Sequence, residues 1–121
     1  MLKELINEEL RKKQEFRYHN VPVSDKKGRI RFVKHPCYIF LENDDLYLYV
    51  TLTHSQKVGD YLVILLRKNP NPNDKRESYY VAEVRVDKKI KFDRFAKKWE
   101  LDPLDDEDIR KLYEDFLKKD N

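Results

Sequence analysis

The stretch DDLYLYVTLTHS, residues 44–55, alternates between two kinds of side chain. One side of an extended chain would carry Leu46, Leu48, Val50 and Leu52, and the other side would carry Tyr47, Tyr49, Thr51 and Thr53. This period of two is typical of a β-strand, whose successive side chains point to opposite faces of a sheet. The strand ends in Thr-His-Ser rather than in the glycine, proline, asparagine or aspartate that commonly ends one.

Further strands are predicted on either side of this one. IRFVKHPCYIFLE (residues 30–42) precedes it, and YLVILL (61–66) and SYYVAEVRV (78–86) follow it. YLVILL is a continuous apolar run, so we expect residues 61–66 to form a strand that is buried on both faces. Proline cannot donate a hydrogen bond to a strand ladder, so Pro36 predicts a strand start, an edge or a bulge. The connections between strands are short, which favours antiparallel pairing.

Helices are predicted at both ends of the chain. Leucines and an isoleucine recur at helical spacing in residues 1–17, and FDRFAKKWEL (92–101) is typical of a short helical turn. A last amphipathic helix presents one apolar stripe made of Ile109, Leu112, Tyr113, Phe116 and Leu117. Asp102 is its predicted N-cap, and its acidic start and basic end complement the helix dipole.

These elements predict an α+β fold in a single domain of residues 1–121. We expect an N-terminal helix (1–17), a small, strongly curved antiparallel sheet or partly open barrel (29–87), and a helical C-terminal part (92–119). The N-terminal and C-terminal helices are expected to pack on the sheet. A chain of 121 residues with 40% hydrophobic composition is large enough for one core.

Charge and cysteine content narrow the functional classes. Charged residues make up 40% of the chain, yet the net charge is only +3, so net charge alone does not indicate a nucleic-acid partner. The distribution of charge along the chain is more informative about such a partner, because residues 26–34 and 88–98 are both locally basic. The single cysteine, Cys37, excludes an intrachain disulfide, favours a cytoplasmic location, and is expected to be a small buried hydrophobe.

Two polar groups interrupt the predicted sheet, and we expect them to meet. Lys34-His35-Pro36 enters one strand and Thr53-His54-Ser55 leaves the next. If the two strands form a hairpin that turns at residues 42–45, counting back from the turn places residues 34–35 opposite 52–54. His35, Thr53, His54 and Ser55 would then converge on one rim of the sheet.

Two imidazoles beside hydroxyls and a lysine suit RNA transesterification. One imidazole can take the proton of a ribose 2′-OH, a second acid can protonate the departing oxygen, and cations can stabilise the charge on phosphorus. The predicted catalytic residues are His35, Thr53 and His54. The predicted substrate-binding residues are Lys34, Ser55, Lys57 and Arg76.

Structural roles explain the same residues in another way. Thr and Ser at strand ends often bond the backbone, and a His before a Pro is often only partly exposed. Tyr47, Tyr49, Tyr79 and Tyr80 form either a base-stacking platform or, more often in strands, part of the core. The three histidines lack ligand spacing, so we expect no metal and no cofactor.

The order of these elements resembles the PemK/MazF toxins, which are small SH3-like barrels of toxin–antitoxin systems. The resemblance is carried by His35-Pro36 before an apolar strand, by LTHS at residues 52–55, and by SYYVAEVRVDKKIKFDRFAKKWEL before an acidic-capped helix. It covers about residues 29–118. It implies a metal-independent endoribonuclease that cuts single-stranded RNA, forms a homodimer and is inhibited by an antitoxin.

Carried over by position, the resemblance nominates His35 and Thr53 at the scissile phosphate. The chain departs from the family at that point, because His35 stands where the family has an arginine. The glycine-rich loop of the family is reduced to Gly28. The alternative to a nuclease is therefore a non-catalytic interaction module from a mobile element, which binds or inhibits a protein or nucleic-acid partner.

Overall fold

A hairpin of two long strands forms the centre of the molecule in the computed structural model, which describes residues 11–119. Strand β2 (Ile30–Glu42) and strand β3 (Leu46–Thr53) pair antiparallel, as the alternation predicts. The turn between them is held by the Asn43 side chain, whose Oδ1 accepts hydrogen bonds from the backbone N–H groups of Asp45 and Leu46. Both predicted strand positions are confirmed.

Strand β1 (Arg11–Ser24) lies on the other edge of β2 and corrects the prediction for the N-terminal part. The predicted N-terminal helix was extended through residues 11–17, and over this part it is wrong because those residues pair with β2. The rest of that predicted helix, residues 1–10, lies outside the described residues. Long-range pairing with an existing strand outweighs the helical spacing read from the first residues.

Pro36 lies inside β2, at the point where one of its two ladders stops. On the β1 side Pro36 pairs with Tyr18, and the ladder continues without a break. On the β3 side the pairing ends at Cys37 and Thr51, so the missing N–H of Pro36 interrupts no bond there. The sheet irregularity between β2 and β3 occurs instead between Ile39 and Leu41.

Three short strands complete the sheet. They are β4 (Val63–Leu65), β5 (Tyr79–Val81) and β6 (Arg85–Lys88). The order is β1-β2-β3-β5-β4, and β6 pairs with the first half of β3 on the same edge that β5 uses further along. Within residues 11–119 the sheet is antiparallel and does not close into a barrel.

The expectation that residues 61–66 form a doubly buried strand is wrong. Strand β4 is a short strand at the end of the sheet, and Leu62 and Leu65 are exposed. The predicted helical turn at residues 92–101 is wrong as well. A 3₁₀ turn covers Lys89–Lys91 instead, and the following chain runs beside the free edge of β1, where Phe92 pairs with His19 and Lys97 with Phe16.

The C-terminal helix α1 (Pro103–Lys119) is confirmed, and so is its predicted cap. The Asp102 carboxylate accepts a hydrogen bond from the Leu104 N–H at 2.9 Å. Ile109 and Tyr113 of α1 are buried against Phe40 and its neighbours on one face of the sheet. The fold is therefore α+β, with one described helix covering one face of the sheet. No helix within residues 11–119 is long and apolar enough to cross a membrane.

The opposite face of the sheet carries a second, smaller core. It consists of Cys37, Ile39, Tyr47, Tyr49 and Phe92. Residues at odd positions of β3 are therefore buried as fully as those at even positions. The alternation in residues 46–53 thus separates two cores instead of a core from solvent.

Candidate functional site

A cleft of about 200 Å³ opens where β3 ends beside the middle of β2. It is lined by Tyr18, His35, Pro36, Leu52, Thr53, His54, Asn69, Asn71, Asp74, Arg76, Ser78 and Trp99. Four of the residues predicted from the sequence to act on a substrate belong to this set, namely His35, Thr53, His54 and Arg76.

His35 and Thr53 come together through the register of the central hairpin. Cys37 pairs with Thr51, so two residues nearer the rim the same register sets His35 against Thr53. The His35 ring also bonds the backbone of Leu52, the neighbour of Thr53. His35, Thr53 and His54 therefore line one cleft, whereas Ser55, which is expected at the same rim, lies outside its lining.

The environment of His35 favours a neutral imidazole. The side chain is partly buried, and burial lowers its pKa below the usual 6.5, although the bond to the Leu52 backbone opposes this change. A histidine that is neutral at pH 7 has a lone pair available to accept a proton.

His54 is held by two acceptors, one on each ring nitrogen. Nδ1 lies 3.0 Å from the carbonyl oxygen of Glu77, and Nε2 lies 3.1 Å from the carboxylate of Asp74. A carbonyl and a carboxylate both accept, so the ring has to carry hydrogen on both nitrogens to bond both partners. In that form the imidazole is a cation and can donate a proton.

Asp74 connects His54 to Arg76. Its two oxygens accept hydrogen bonds of 3.0 Å from Nε and Nη2 of Arg76, and one also accepts from the Arg76 backbone N–H. These bonds from Arg76 lower the pKa of Asp74 to about 2. The carboxylate is therefore ionised at neutral pH, and it lies between the His54 ring and the Arg76 guanidinium at the mouth of the cleft.

The loop that positions Asp74 and Arg76 is ordered by its asparagines. Two Asx turns order it: Asn69 Oδ1 accepts from the Asn71 N–H and Asn71 Oδ1 from the Asn73 N–H, each at 3.0 Å. The Asn69 amide also donates to the carbonyl of Arg76 at 2.9 Å, which closes the loop. Arg76 thus projects from a loop whose conformation is fixed by the side chains of Asn69 and Asn71.

An aromatic wall forms another part of the lining and was missed by sequence reasoning. The rings of Tyr18 and Trp99 meet edge to face, with centroids 6.2 Å apart. Lys97 and Lys34 lie over the Tyr18 ring at 4.6 Å and 5.5 Å from its centroid. Trp99 reaches the wall because residues 92–97 run along β1, a long-range contact that no local pattern reveals.

Three predicted substrate-binding residues lie outside the cleft lining. Lys34 forms an ion pair with Asp93 at 3.1 Å beside the aromatic wall. The Ser55 hydroxyl donates to the Lys57 carbonyl at 2.7 Å, and both residues are exposed beyond the end of β3. Ser55 also donates its backbone N–H to the Thr53 hydroxyl oxygen at 3.0 Å, which leaves the hydroxyl proton of Thr53 for another acceptor.

Of the two alternatives for the four strand tyrosines, the structure confirms the core and excludes the base-stacking platform. Tyr47, Tyr49, Tyr79 and Tyr80 are all buried, so no base can stack on them. Cys37 is fully buried as predicted, and burial raises the pKa of its thiol to about 12.

The third histidine, His19, packs against the second core through ring contacts with Tyr49 and Phe92. Its ring nitrogens lie 3.0 Å from the carbonyl oxygen of Lys91 and 3.1 Å from the Asp87 carboxylate. The Tyr49 hydroxyl donates to the same carboxylate at 2.8 Å. His19 therefore connects β1 to the β6 region away from the cleft. Among residues 11–119, no group of three or more His, Cys, Asp or Glu side chains is arranged to hold a metal ion.

Comparisons with protein-family models, with curated proteins and with solved structures each gave no match for this chain. The function therefore has to be argued from the cleft. Its lining combines two imidazoles, a threonine hydroxyl, an arginine and an aromatic wall.

Proposed function

We propose that the cleft binds single-stranded RNA and cleaves it by attack of a ribose 2′-OH on the adjacent phosphate. The observation that carries the proposal is the shared lining: His35, Thr53 and His54 surround the same opening as Tyr18 and Trp99. Phosphate recognition needs cations and hydrogen-bond donors, and an unpaired base needs an aromatic face. The cleft offers both kinds of group.

The proton transfers follow from the two imidazoles. His35, neutral at pH 7, takes the proton from the 2′-OH, and the 2′-oxygen forms a bond to phosphorus. The bond from phosphorus to the 5′-oxygen breaks, and that oxygen takes a proton from His54. The products are a 2′,3′-cyclic phosphate and a 5′-hydroxyl, and the two histidines exchange protonation states.

Charge on the phosphate during this step is stabilised by groups at the mouth. The Thr53 hydroxyl proton can bond a non-bridging oxygen, and Arg76 supplies positive charge. Asp74 acts as a positioning residue, because it holds both His54 and Arg76. The reaction needs no metal in this account, since side chains supply the base, the acid and the positive charge.

The wider role proposed here rests on the resemblance to the PemK/MazF toxins. In that proposal the open sheet is a variant of the SH3-like barrel, and the protein is a cytoplasmic toxin of a toxin–antitoxin or mobile-element system. A homodimer and an antitoxin that blocks the cleft belong to the same proposal.

A second candidate, a non-catalytic interaction module that binds RNA, is favoured by one observation. Both ring nitrogens of His54 and two nitrogens of the Arg76 guanidinium already bond within the protein. His54 can protonate a leaving group only if Nε2 is shared between Asp74 and that group. The two candidates differ in whether bound RNA is cut.

The test incubates purified protein with end-labelled single-stranded RNA in EDTA and follows the products by gel electrophoresis. We expect fragments that end in a cyclic phosphate, and we expect His35→Ala and Thr53→Ala to abolish them. Ser55→Ala is the matched control, because its hydroxyl lies outside the cleft lining and bonds Lys57. RNA that is bound but left intact would favour the second candidate, and RNA that is not bound would refute both.

A further inference from the structure

The hairpin of β1 and β2 extends the cleft face into an arm. The ladder runs without a break from the pair Tyr18–Pro36 to the pair Ser24–Ile30. Paired residues share a face, and side chains two positions apart share it too. One face of the arm therefore carries four successive pairs, which are Tyr18–Pro36, Asn20–Lys34, Pro22–Phe32 and Ser24–Ile30.

This face begins in the cleft, because Tyr18 and Pro36 are part of its lining. The position of Lys34 agrees with the register, since its Nζ lies 5.5 Å from the centre of the Tyr18 ring. Further out, Phe32 is 70% exposed and Ile30 is 67% exposed. A large aromatic ring thus stands in solvent on the same face as the aromatic wall.

The arm is positively charged along its outer part. Residues 26–34 contain the cations Lys26, Lys27, Arg29, Arg31 and Lys34 and no acidic residue. Arg29 pairs with Asp25 and Lys34 with Asp93, and three cations of the arm remain beyond these pairs. The arm's tip is fixed by Asp25, whose carboxylate accepts hydrogen bonds from the backbone N–H groups of Lys27 and Arg29. Gly28 adopts the positive φ of 78° that this turn needs. The charge is complementary to a polyanion, and the exposed ring is complementary to an unpaired base.

We infer that single-stranded RNA leaving the cleft continues along this face of the arm, with a base stacked on Phe32 and phosphates beside the arm's cations. This inference rests on the proposed function of the cleft. Phe32 lies four positions before Pro36 along β2, a distance of about 13 Å. The substrate is therefore an extended strand of several nucleotides, and a very short RNA fills the cleft alone.

The experiment compares the affinities of two labelled RNAs, a trinucleotide and an octanucleotide, by fluorescence anisotropy. Phe32→Ala should weaken octanucleotide binding about 5- to 100-fold, the effect of losing one stacked base, and should leave trinucleotide binding unchanged. Phe32→Tyr keeps an aromatic ring and should retain the wild-type affinity. Leu62→Ala is the control, because Leu62 is 68% exposed beside β4, at the opposite end of the sheet order.

Two failures can be told apart. If the octanucleotide binds Phe32→Ala and Leu62→Ala with the wild-type affinity, the arm does not hold RNA, although the cleft does. If neither RNA binds the wild-type protein, the proposed function fails and the inference fails with it. An equal loss of affinity for both RNAs in Phe32→Ala would also overturn the inference, because the ring would then act within the cleft.

Discussion

The Nε2 atom of His54 lies 3.1 Å from the Asp74 carboxylate. This contact joins the end of β3 to the loop of residues 69–76 at the mouth of the cleft. The same carboxylate holds Arg76 through two side-chain bonds. One acidic side chain therefore holds both the His54 ring and the Arg76 guanidinium at the mouth of the cleft. Binding and catalysis should respond differently to its removal.

Asp74→Asn should lower the rate of RNA cleavage while strengthening RNA binding. The amide keeps the shape of the side chain but removes a negative charge from the cleft, so a polyanion should bind more tightly. His54 loses its anionic partner, and we expect a rate about 10- to 100-fold lower in single-turnover measurements. Asp44→Asn serves as the control, because Asp44 is exposed and pairs only weakly with Arg11. A variant that binds more weakly and cleaves at the wild-type rate would contradict this role.

The rate of cleavage should depend on pH through His35. The base acts in its neutral form, and burial lowers the pKa of His35 below 6.5. The neutral form therefore persists below pH 6.5, and the rate should fall only as pH decreases through that lowered value. A profile of kcat/KM against pH reports this pKa in the free enzyme. An acidic limb centred at or above 6.5 would exclude His35 in its present surroundings as the base.

The dependence of RNA affinity on salt should reveal the contribution of the arm. For single strands, the slope of log affinity against log salt is about −0.7 for each phosphate neutralised. Replacing Lys26 and Lys27, which are exposed at the tip of the arm, with alanine together should make the slope for an octanucleotide less steep by up to about 1.4. The same pair of changes at Lys111 and Lys118, exposed on α1, should leave it unchanged. A slope that shifts equally in both double variants would indicate a general effect of net charge.

His19 should contribute to stability and not to cleavage. Replacing it with phenylalanine keeps a ring against Phe92, where the centroids are 4.5 Å apart, but removes both hydrogen bonds. We expect a loss of about 1–3 kcal/mol in the free energy of unfolding, measured in urea, because each of the two lost hydrogen bonds contributes about 0.5–1.5 kcal/mol. Cleavage per folded molecule should stay at the wild-type level, and a large loss of it would move the reaction centre toward the second core.

Asp87, the partner of His19, makes this stability dependent on pH. Burial raises its pKa, but hydrogen bonds from Tyr49 and His19 outweigh that effect, and the net pKa is lowered from 3.8. A carboxyl whose pKa is lower in the folded state stabilises the protein above the unfolded value. The contribution of Asp87 should therefore be present above pH 3.8 and be lost as pH falls through the lowered value. Urea unfolding of wild-type protein and Asp87→Asn across this range measures it.

The sequence predicted the parts of the site that depend on neighbouring strands. The alternation in β3 and the short turn at residues 43–45 set the register, and the register placed His35 near Thr53. Arg76 was predicted without its pairing to Asp74. Trp99 and Tyr18 were missed, because their contact depends on residues 92–97 lying along the edge of β1. That contact joins positions far apart in the chain, and the local spacing of hydrophobic residues does not predict it.

Strand β1 was missed for a related reason. Its buried residues, Phe16, His19 and Val21, do not alternate strictly, because β1 packs side chains into both cores. The predicted N-terminal helix therefore runs past residue 10 and includes residues 11–17, which belong to β1. Only the pairing with β2 identifies residues 11–24 as a strand.

The most direct test of the account is the fluorescence of Trp99 during titration with RNA. The chain contains one tryptophan, and it lines the cleft, so its emission reports on the cleft alone. We predict saturable quenching by single-stranded RNA, with the same midpoint as the anisotropy of the labelled strand. RNA that binds by anisotropy without changing the emission of Trp99 would contradict the claim that the cleft is the RNA site.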